Sequence, residues 1–523
     1  MKNRILAPLA AALAISGALC GVQAHAKTLK MVPYADLKIL DPSFTTAYIT
    51  RNFGYMVYDT LFAMDAKGQP QPEMVDTYKK SDDGKEWTFT LRPGLKFSDG
   101  KPVTAADCVA SLKRWAARDN IGHAMTKAGG QWSVVNDNTF KLTLQQPFGL
   151  VLDGLAKVSS YPAFIMPARL ADMPTNKPIS EVDGSGPYLF KRDEWVPGNK
   201  VVFVRNPAYV PRKEAPSGLA GNKASHVDRV EWVILPDSNS AAAALKSNEV
   251  DMIEQVPPDF ISGLAADKNL KTGVIGQQQV YVVMNQALPP FDNVKMRQAV
   301  AHAIDQNEVT SAMGYPDNLR KKYCATFFIC GSANDTDAGS APYRKPDIAL
   351  AKKLLAESGY KGQKIAVLLP TDVAYLNAAA LVTIQDMQKI GINVDVQSMD
   401  WATLSARRAK KGPVAQGGWN VFVSAAAEFN VDSPLNNTYL GAACGNSLPG
   451  WPCDEKLDKL RSEWIAATDP AQRKKLLDEI QVEAYTSFPN LPIGQFSLVY
   501  ATRKDIKHTD ELWGLPNVWV LDK

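Results

Sequence analysis

The stretch "GSGPYLFKRDEWVPGNKVVFVRNPAY" opens like a phosphate cradle, with Gly184 and Gly186 one residue apart behind an acidic turn. A dinucleotide loop also needs a preceding strand, a third glycine and a helix N-terminus aimed at the phosphate. Leu189 stands where the third glycine belongs. The next residues read as two strands, "YLFKRDEWV" and "KVVFVRN", about a "PGN" turn. Without a helix dipole there is no anion site, so the glycines are expected to give backbone freedom where the chain turns from one domain into another. Other chemistries are no better supplied. The five histidines include no H-x-x-x-H pair, and His302 lies within a helical pattern, "AVAHAID". Carboxylates are plentiful but no pair is marked by context, so no catalytic residue, metal ligand or cofactor is assigned. A secreted hydrolase is the enzyme alternative.

The remaining reactive side chains are cysteines, and their meaning depends on compartment. Residues 1–26 carry Lys2 and Arg4, an apolar run from Ile5 to about Leu19, and Ala24-His25-Ala26 as a cleavage signal. This predicts a secretory leader cut after Ala26 and an exported protein. Pro8 and the shortness of the run argue against a membrane span. Cys20 offers a lipidation alternative, for which Leu19 is a poor preceding residue. Export permits disulfides. Cys324 with Cys330 in "CATFFIC" and Cys444 with Cys453 in "CGNSLPGWPC" are close enough for local bridges, and Cys108 is left as a buried free thiol on a helix face. No histidine lies near either pair, which disfavours zinc. The formal net charge of the whole chain is +4, and loss of the leader lowers it to +2. That balance points to no nucleic-acid or membrane-surface partner.

The elements that must position any site are α/β. A chain of 523 residues should divide into two to four domains. "RVEWVILPDSNSAAAALKSNEVDMIEQV" reads strand, helix, strand over Val230–Leu235, Asn239–Ser247 and Val250–Gln255. "KIAVLLPTDVAYLNAAALVTIQDMQKIGINVDVQSMDW" repeats the pattern, with Leu381, Ile384, Met387 or Gln388, and Ile390 at helical spacing and Gly391 as the stop. Two β-α-β units imply two α/β lobes, and ligands of such proteins bind in the crevice between lobes. Between them, "EWTFTLRPGLKFSDGKPVTAADCVASLKRW" predicts a half-buried strand, then a helix capped by Thr104 and Asp107, within an inserted α+β domain. Asp469 with Pro470 marks the start of a late helix.

These motifs resemble the solute-binding proteins of peptide-type ABC importers, family 5. "LDP" at Leu40–Pro42, "WTFTLRPGLKFSDGKPVTAAD", "GSGPY", "VRNPAY" and "PPFDNVKMRQAVAHAID" follow the family's order over nearly the whole chain. The resemblance implies a two-lobed periplasmic-binding-protein-like fold (type II, cluster C) with an extra α+β domain inserted in the first lobe. By analogy, residues 1–26 are the leader, and 27–70, 184–280 and 490–523 form the first lobe. Residues 71–183 form the inserted domain and 281–489 the second lobe, with a hinge near Val280 and Pro492. It also implies a monomeric periplasmic receptor without a cofactor, which closes on a small solute, a di- or oligopeptide foremost. The receptor would deliver that solute to an ABC permease and ATPase complex at the inner membrane. Opines, oligosaccharides and metal chelates, or a sensing role, are the alternatives on the same fold.

The site residues come from the resemblance as well. The family places an aspartate four residues before a proline to hold a peptide's ammonium group; in "SAAAEFNVDSPLNN" that position is Asn430, with Glu428 and Asp432 offset on either side. An asparagine carries no charge to pair with a desolvated ammonium. Either a neighbouring acid substitutes or the solute lacks a free amino terminus. Trp401 and Arg408 match pocket-lining positions, and Asp36 matches an acidic position of the first lobe. The competing expectation puts Trp401 in a core and Arg408 on a solvated basic face with Arg407, Lys410 and Lys411.

Overall fold

The computed structural model describes residues 27–444 and 449–523. The leader and its cleavage site lie outside the described residues. Two long strands, Leu270–Met284 and Leu491–Arg503, run antiparallel beside each other through the middle of an eleven-stranded sheet. On one side stand Met252–Ile253, Thr28–Val32, Arg229–Val233, Lys200–Arg205 and Tyr188–Phe190; on the other, Val421–Ala427, Ile365–Pro370 and Val394–Met399, while the short Arg320–Lys321 pairs with Leu491–Arg503 off this path. Thr28–Val32 pairs in parallel with Arg229–Val233 and Met252–Ile253, and Ile365–Pro370 in parallel with both of its neighbours. Each parallel set is joined by a crossover helix, Ser238–Lys246 in one lobe and Ala374–Lys389 in the other. The protein is therefore a two-lobed α/β molecule whose lobes share the two crossing strands.

The crossing strands break register twice between the part that pairs with the first lobe and the part that pairs with the second. Val274 pairs with Val499, then Gly276 with Leu498, leaving Ile275 as an extra residue. Below the break the second crossing strand pairs with the first lobe's Met252–Ile253, and above it the first pairs with Val421–Ala427. Val280 and Pro492, expected at the hinge, lie inside the second lobe's ladder, opposite Ala425 and Tyr281 respectively. A second break falls between Val280 and Tyr281, which pair with Gly494 and Pro492 and leave Ile493 as an extra residue; such bulges weaken pairing and increase local twist.

Local signals account for most elements. Thr104 and Asp107 form a reciprocal capping box on the helix Ala105–Ala116. That helix buries Cys108 and packs over the four-stranded sheet of Val75–Lys80, Glu86–Leu91, Thr139–Thr143 and Gln131–Asn136, which makes up the inserted α+β region. Asp469 caps Pro470–Ser487 with Pro470 in its first turn. The first lobe's core is aromatic: Phe203 packs edge-on against the fully buried Trp232 at 4.9 Å, each ring contributing about 1.5–3 kcal/mol by burial. The structure joins Cys324 to Cys330 and Cys444 to Cys453, and leaves Cys108 free and buried.

Four readings of the sequence are corrected. Leu381 is exposed, because the buried face of its helix runs through Leu376, Ala380, Thr383, Ile384 and Met387. The strand expected over Val250–Gln255 shortens to Met252–Ile253. The first arm of the "PGN" hairpin is strand only over Tyr188–Phe190, and Arg192–Glu194 form a 3-10 turn. Gly184 and Gly186 do not supply positive φ. A side chain on Gly184 would run into the Val57 carbonyl, and one on Gly186 would meet the Tyr58 carbonyl oxygen at 2.7 Å. These glycines let two backbone segments touch, and the Gly186 N–H donates to the Val57 carbonyl at 3.1 Å.

Candidate functional site

The helix Tyr48–Val57 lies on the first lobe's side of the crevice and is almost wholly buried, although it carries Arg51 and Asn52. Buried polar groups require partners, and these residues supply one another's. The Arg51 guanidinium donates to Asn52 Oδ1 (2.8 and 3.1 Å) and to the Val158 carbonyl (3.3 Å), and lies over the Tyr48 ring at 4.6 Å. Asn52 Nδ2 donates to Glu254 Oε1 at 3.0 Å, while the Tyr34 N–H donates to Glu254 Oε2 at 2.9 Å. Burial pushes the Glu254 carboxyl up to about 7 against these hydrogen bonds and the Arg51 charge.

The second lobe meets this helix with the turn Glu428–Asn430, which directly follows the strand Val421–Ala427. The Tyr48 hydroxyl lies within reach of the Asn430 side chain across the junction, and desolvation raises that hydroxyl to about 12. Glu428 is half-buried. Its carboxylate is turned toward the Gln277 N–H of the crossing strand, with Oε1 3.3 Å from where a Cβ on Gly276 would be. Desolvation first, then the charge of Asp432, lifts Glu428 to about 7. Asp432, also half-buried, accepts from Asn436 Nδ2 at 3.1 Å. Desolvation raises it to about 7, opposed by Asn436 and by the charge of Lys157 from the inserted region. Lys157 is itself paired with the buried Asp119. Neither Glu428 nor Asp432 forms an ion pair with a lysine or arginine among the described residues.

The wall beside these acids is aromatic. Tyr439 stacks on Tyr281 with ring centres 4.1 Å apart and donates to Ser424 Oγ at 3.0 Å. Tyr375 is held near it, its hydroxyl raised to about 12 by burial. Trp401 is half-buried at the start of the helix Trp401–Arg407, and its backbone N–H donates to Asp372 Oδ1 at 2.7 Å. The Arg408 guanidinium lies 5.8 Å from the Trp401 ring and acts electrostatically on Tyr439. Arg407 instead turns to the Gly417 and Gly418 carbonyls, and Lys410 and Lys411 are exposed. Arg408 thus parts from the solvated basic face and joins the wall. Trp401 touches the core from the wall without being enclosed by it.

The structure therefore gathers Glu428, Asn430 and Asp432 at the junction and sets Trp401 with Arg408 beside Tyr439. Asp36 is not drawn into a hydrogen bond with the second lobe among the described residues; its Oδ1 is buried without a partner. The sequence reading missed Tyr48, Arg51, Glu254, Lys157 and Tyr439. Arg51 and Asn52 carried a usable signal, since two polar residues inside the otherwise apolar run "YITRNFGYMV" demand internal partners.

An acid- and aromatic-lined crevice between two lobes, joined by two strands, defines a solute-binding receptor. The comparisons agree: the model of bacterial extracellular solute-binding proteins, family 5, matches residues 69–438, and the chain belongs to that family. It is 36% identical over 476 residues to the "Probable peptide ABC transporter periplasmic-binding protein y4tO" of Sinorhizobium fredii, covering 90% of this chain and 88% of that one. The structure of AgaA from A. tumefaciens R10, solved with agropinic acid, superposes with a TM-score of 0.76 at 25% identity, covering 94% and 96% of the two chains. A dipeptide-binding protein from Pseudoalteromonas sp. SM9913, solved with Met-Leu, has the same fold, with a TM-score of 0.76 at 22% identity and coverage of 95% and 100%. No described helix is long and apolar enough to cross a membrane.

Proposed function

We propose that this protein is the periplasmic receptor of a peptide-type ABC importer, and that it captures a peptide whose ammonium group enters between Tyr48 and Asp432. The observation that carries this reading is the pair of desolvated acids at the lobe junction, Glu428 and Asp432, which lack a lysine or arginine ion pair among the described residues. A buried carboxylate without a cation is unfavourable, and a cationic solute supplies the missing partner. Asp432 is the better partner because Glu428 is already turned toward the Gln277 N–H. Asp432 keeps capacity beyond its bond from Asn436 and lies within the electrostatic reach of Tyr48. Arg408, which has no acid partner among the described residues, is placed for a carboxylate, with Trp401 and Tyr439 as apolar walls.

The lobes close about the crossing strands between their two register breaks, at Ile275 and at Val280–Tyr281, with residues 27–70, 184–280 and 490–523 moving against 281–489, and 71–183 travelling with the first group. The mature protein begins after Ala26, acts as a monomer, and hands its solute to a membrane permease and ATPase. Mass spectrometry of solute released from gently purified protein tests the reading, followed by calorimetry with free and N-acetylated forms of what is found. A peptide bound at least tenfold more weakly after acetylation supports it, and equal binding opposes it. Asn430, where the family carries an aspartate, favours one second reading: a solute with no free ammonium, of the opine kind found in AgaA.

A further inference from the structure

The inserted region is fastened to the first lobe at many points. Arg114 pairs with Asp41 at 2.9 Å with both side chains buried, Arg212 Nη1 donates to the Glu73 carbonyl at 3.0 Å, and Asp59–Thr60 pairs with Phe164–Ile165. The stretch at 157–158 is held by the Tyr48–Val57 helix itself, since Tyr55 Oη donates to the Lys157 carbonyl at 3.2 Å and Arg51 to that of Val158. Against the second lobe the situation differs. Among the described residues one hydrogen bond joins the inserted region to it, from Arg473 Nη2 to the Gly149 carbonyl at 2.8 Å.

That bond is prepared from both sides. On the second lobe, Arg473 Nε donates to the Ala467 carbonyl at 2.9 Å, and the guanidinium lies 5.2 Å from the ring of the buried Trp464. These contacts fix the planar group before it meets the other lobe. On the inserted region, a Cβ at Gly149 would stand 2.5 Å from both Arg473 Nη2 and the Ala467 oxygen. Only a glycine admits this approach. Asp153, two residues into the following short helix, lies within the field of Arg473 and also acts on Asp432 in the crevice.

From this geometry we infer that Arg473 and Gly149 form a closure latch, a positioning pair remote from the solute that is made when the lobes meet and broken when they part. The inference rests on the protein being a closing receptor but not on the nature of its solute. Because the arginine is pre-held within its own lobe, its bond to Gly149 adds to the closed state alone. A hydrogen bond from a charged donor is worth about 1.5–3 kcal/mol, so loss of the latch should lower the closed-to-open ratio by about tenfold or more.

The test uses the mature full-length protein carrying Lys127→Cys and Lys459→Cys, both exposed positions, labelled for single-molecule energy transfer. The closed fraction is read without solute and with millimolar trialanine as the probe. Arg473→Ala and Gly149→Ala should each lower the closed-to-open ratio about tenfold, and Arg473→Lys should fall between them and the parent. Gly149→Ala leaves the Arg473–Ala467 contact of the separate lobe intact, so a fold-wide defect in Arg473→Ala does not blunt the test. If the parent shows two populations that neither variant shifts, the latch is overturned while the receptor reading stands. If the parent holds a single population under both conditions, closure fails and the latch with it.

Discussion

Replacing Asp432 by alanine should weaken binding of a free peptide by about 2–3 kcal/mol, or roughly 30- to 150-fold. An ammonium about 4 Å from a carboxylate gains about 4 kcal/mol at an effective dielectric near 20. Two features of the structure reduce that figure. Lys157 already acts on Asp432, so part of the carboxylate's field is answered before the solute arrives, and the remaining exposure of Asp432 to the crevice admits water. Removing the carboxylate also frees the Asn436 amide, which held it at 3.1 Å, so Asp432→Asn is the companion that keeps the shape and removes the charge. Glu428→Ala should lose less than about fivefold, because that carboxylate is turned toward the Gln277 N–H of the crossing strand. The assay is calorimetry at pH 8 with a peptide recovered from the purified protein, in free and N-acetylated forms. Loss on Glu428→Ala larger than on Asp432→Ala would refute the assignment of the two acids. Loss on neither, with acetylated peptide bound as well as free, would refute ammonium recognition altogether.

The same geometry bears on stability, pH dependence and thiol chemistry. Glu254, Glu428 and Asp432 are all raised to about 7, so the folded unliganded protein holds protons between about pH 4.5 and 7 that the unfolded chain releases. Its stability should fall as pH rises through that window, and denaturant titrations at pH 5 and pH 8 check the sign. A cationic solute needs the ionised acid, so affinity should instead rise about tenfold between pH 6 and pH 8, as one site near 7 goes from mostly protonated to mostly ionised; flat affinity would oppose a titrating partner. Gly184→Ala should destabilise the protein by about 1–3 kcal/mol through collision with the Val57 carbonyl, measured by thermal unfolding, whereas a substitution tolerated without loss would show that the segments are free to separate. Mass mapping should find bridges 324–330 and 444–453, and Cys108, whose thiol burial pushes well up, should react with a thiol reagent only after denaturation.

Much of the architecture was readable because it is written locally. The capping box at Thr104 and Asp107, the Asp469-Pro470 start and the two β-α-β units each depend on residues within a few positions of one another. The register breaks at Ile275 and at Val280–Tyr281 were not readable as such, because they arise between two strands more than two hundred residues apart. Gly184 and Gly186 were marked as special, but their reason lies in the backbone of Val57 and Tyr58, a contact that no nearby residue announces. The site divides in the same way. Glu428, Asn430, Asp432, Trp401 and Arg408 were named through family motifs. Tyr48, Arg51 and Glu254 come from other elements of the first lobe, and Lys157 from the inserted region. Only the assembled junction brings Arg51 to bear on Glu254 and Glu428, and Tyr48 and Lys157 to bear on Asp432.

The account turns on two lobes closing over a solute through a pair of crossing strands, and small-angle X-ray scattering tests that most directly. With a peptide recovered from the purified protein, the radius of gyration should fall on binding while the far-ultraviolet circular dichroism stays unchanged, as expected for rigid lobes rotating about the crossing strands. A radius that is the same with and without saturating peptide would contradict the closing receptor.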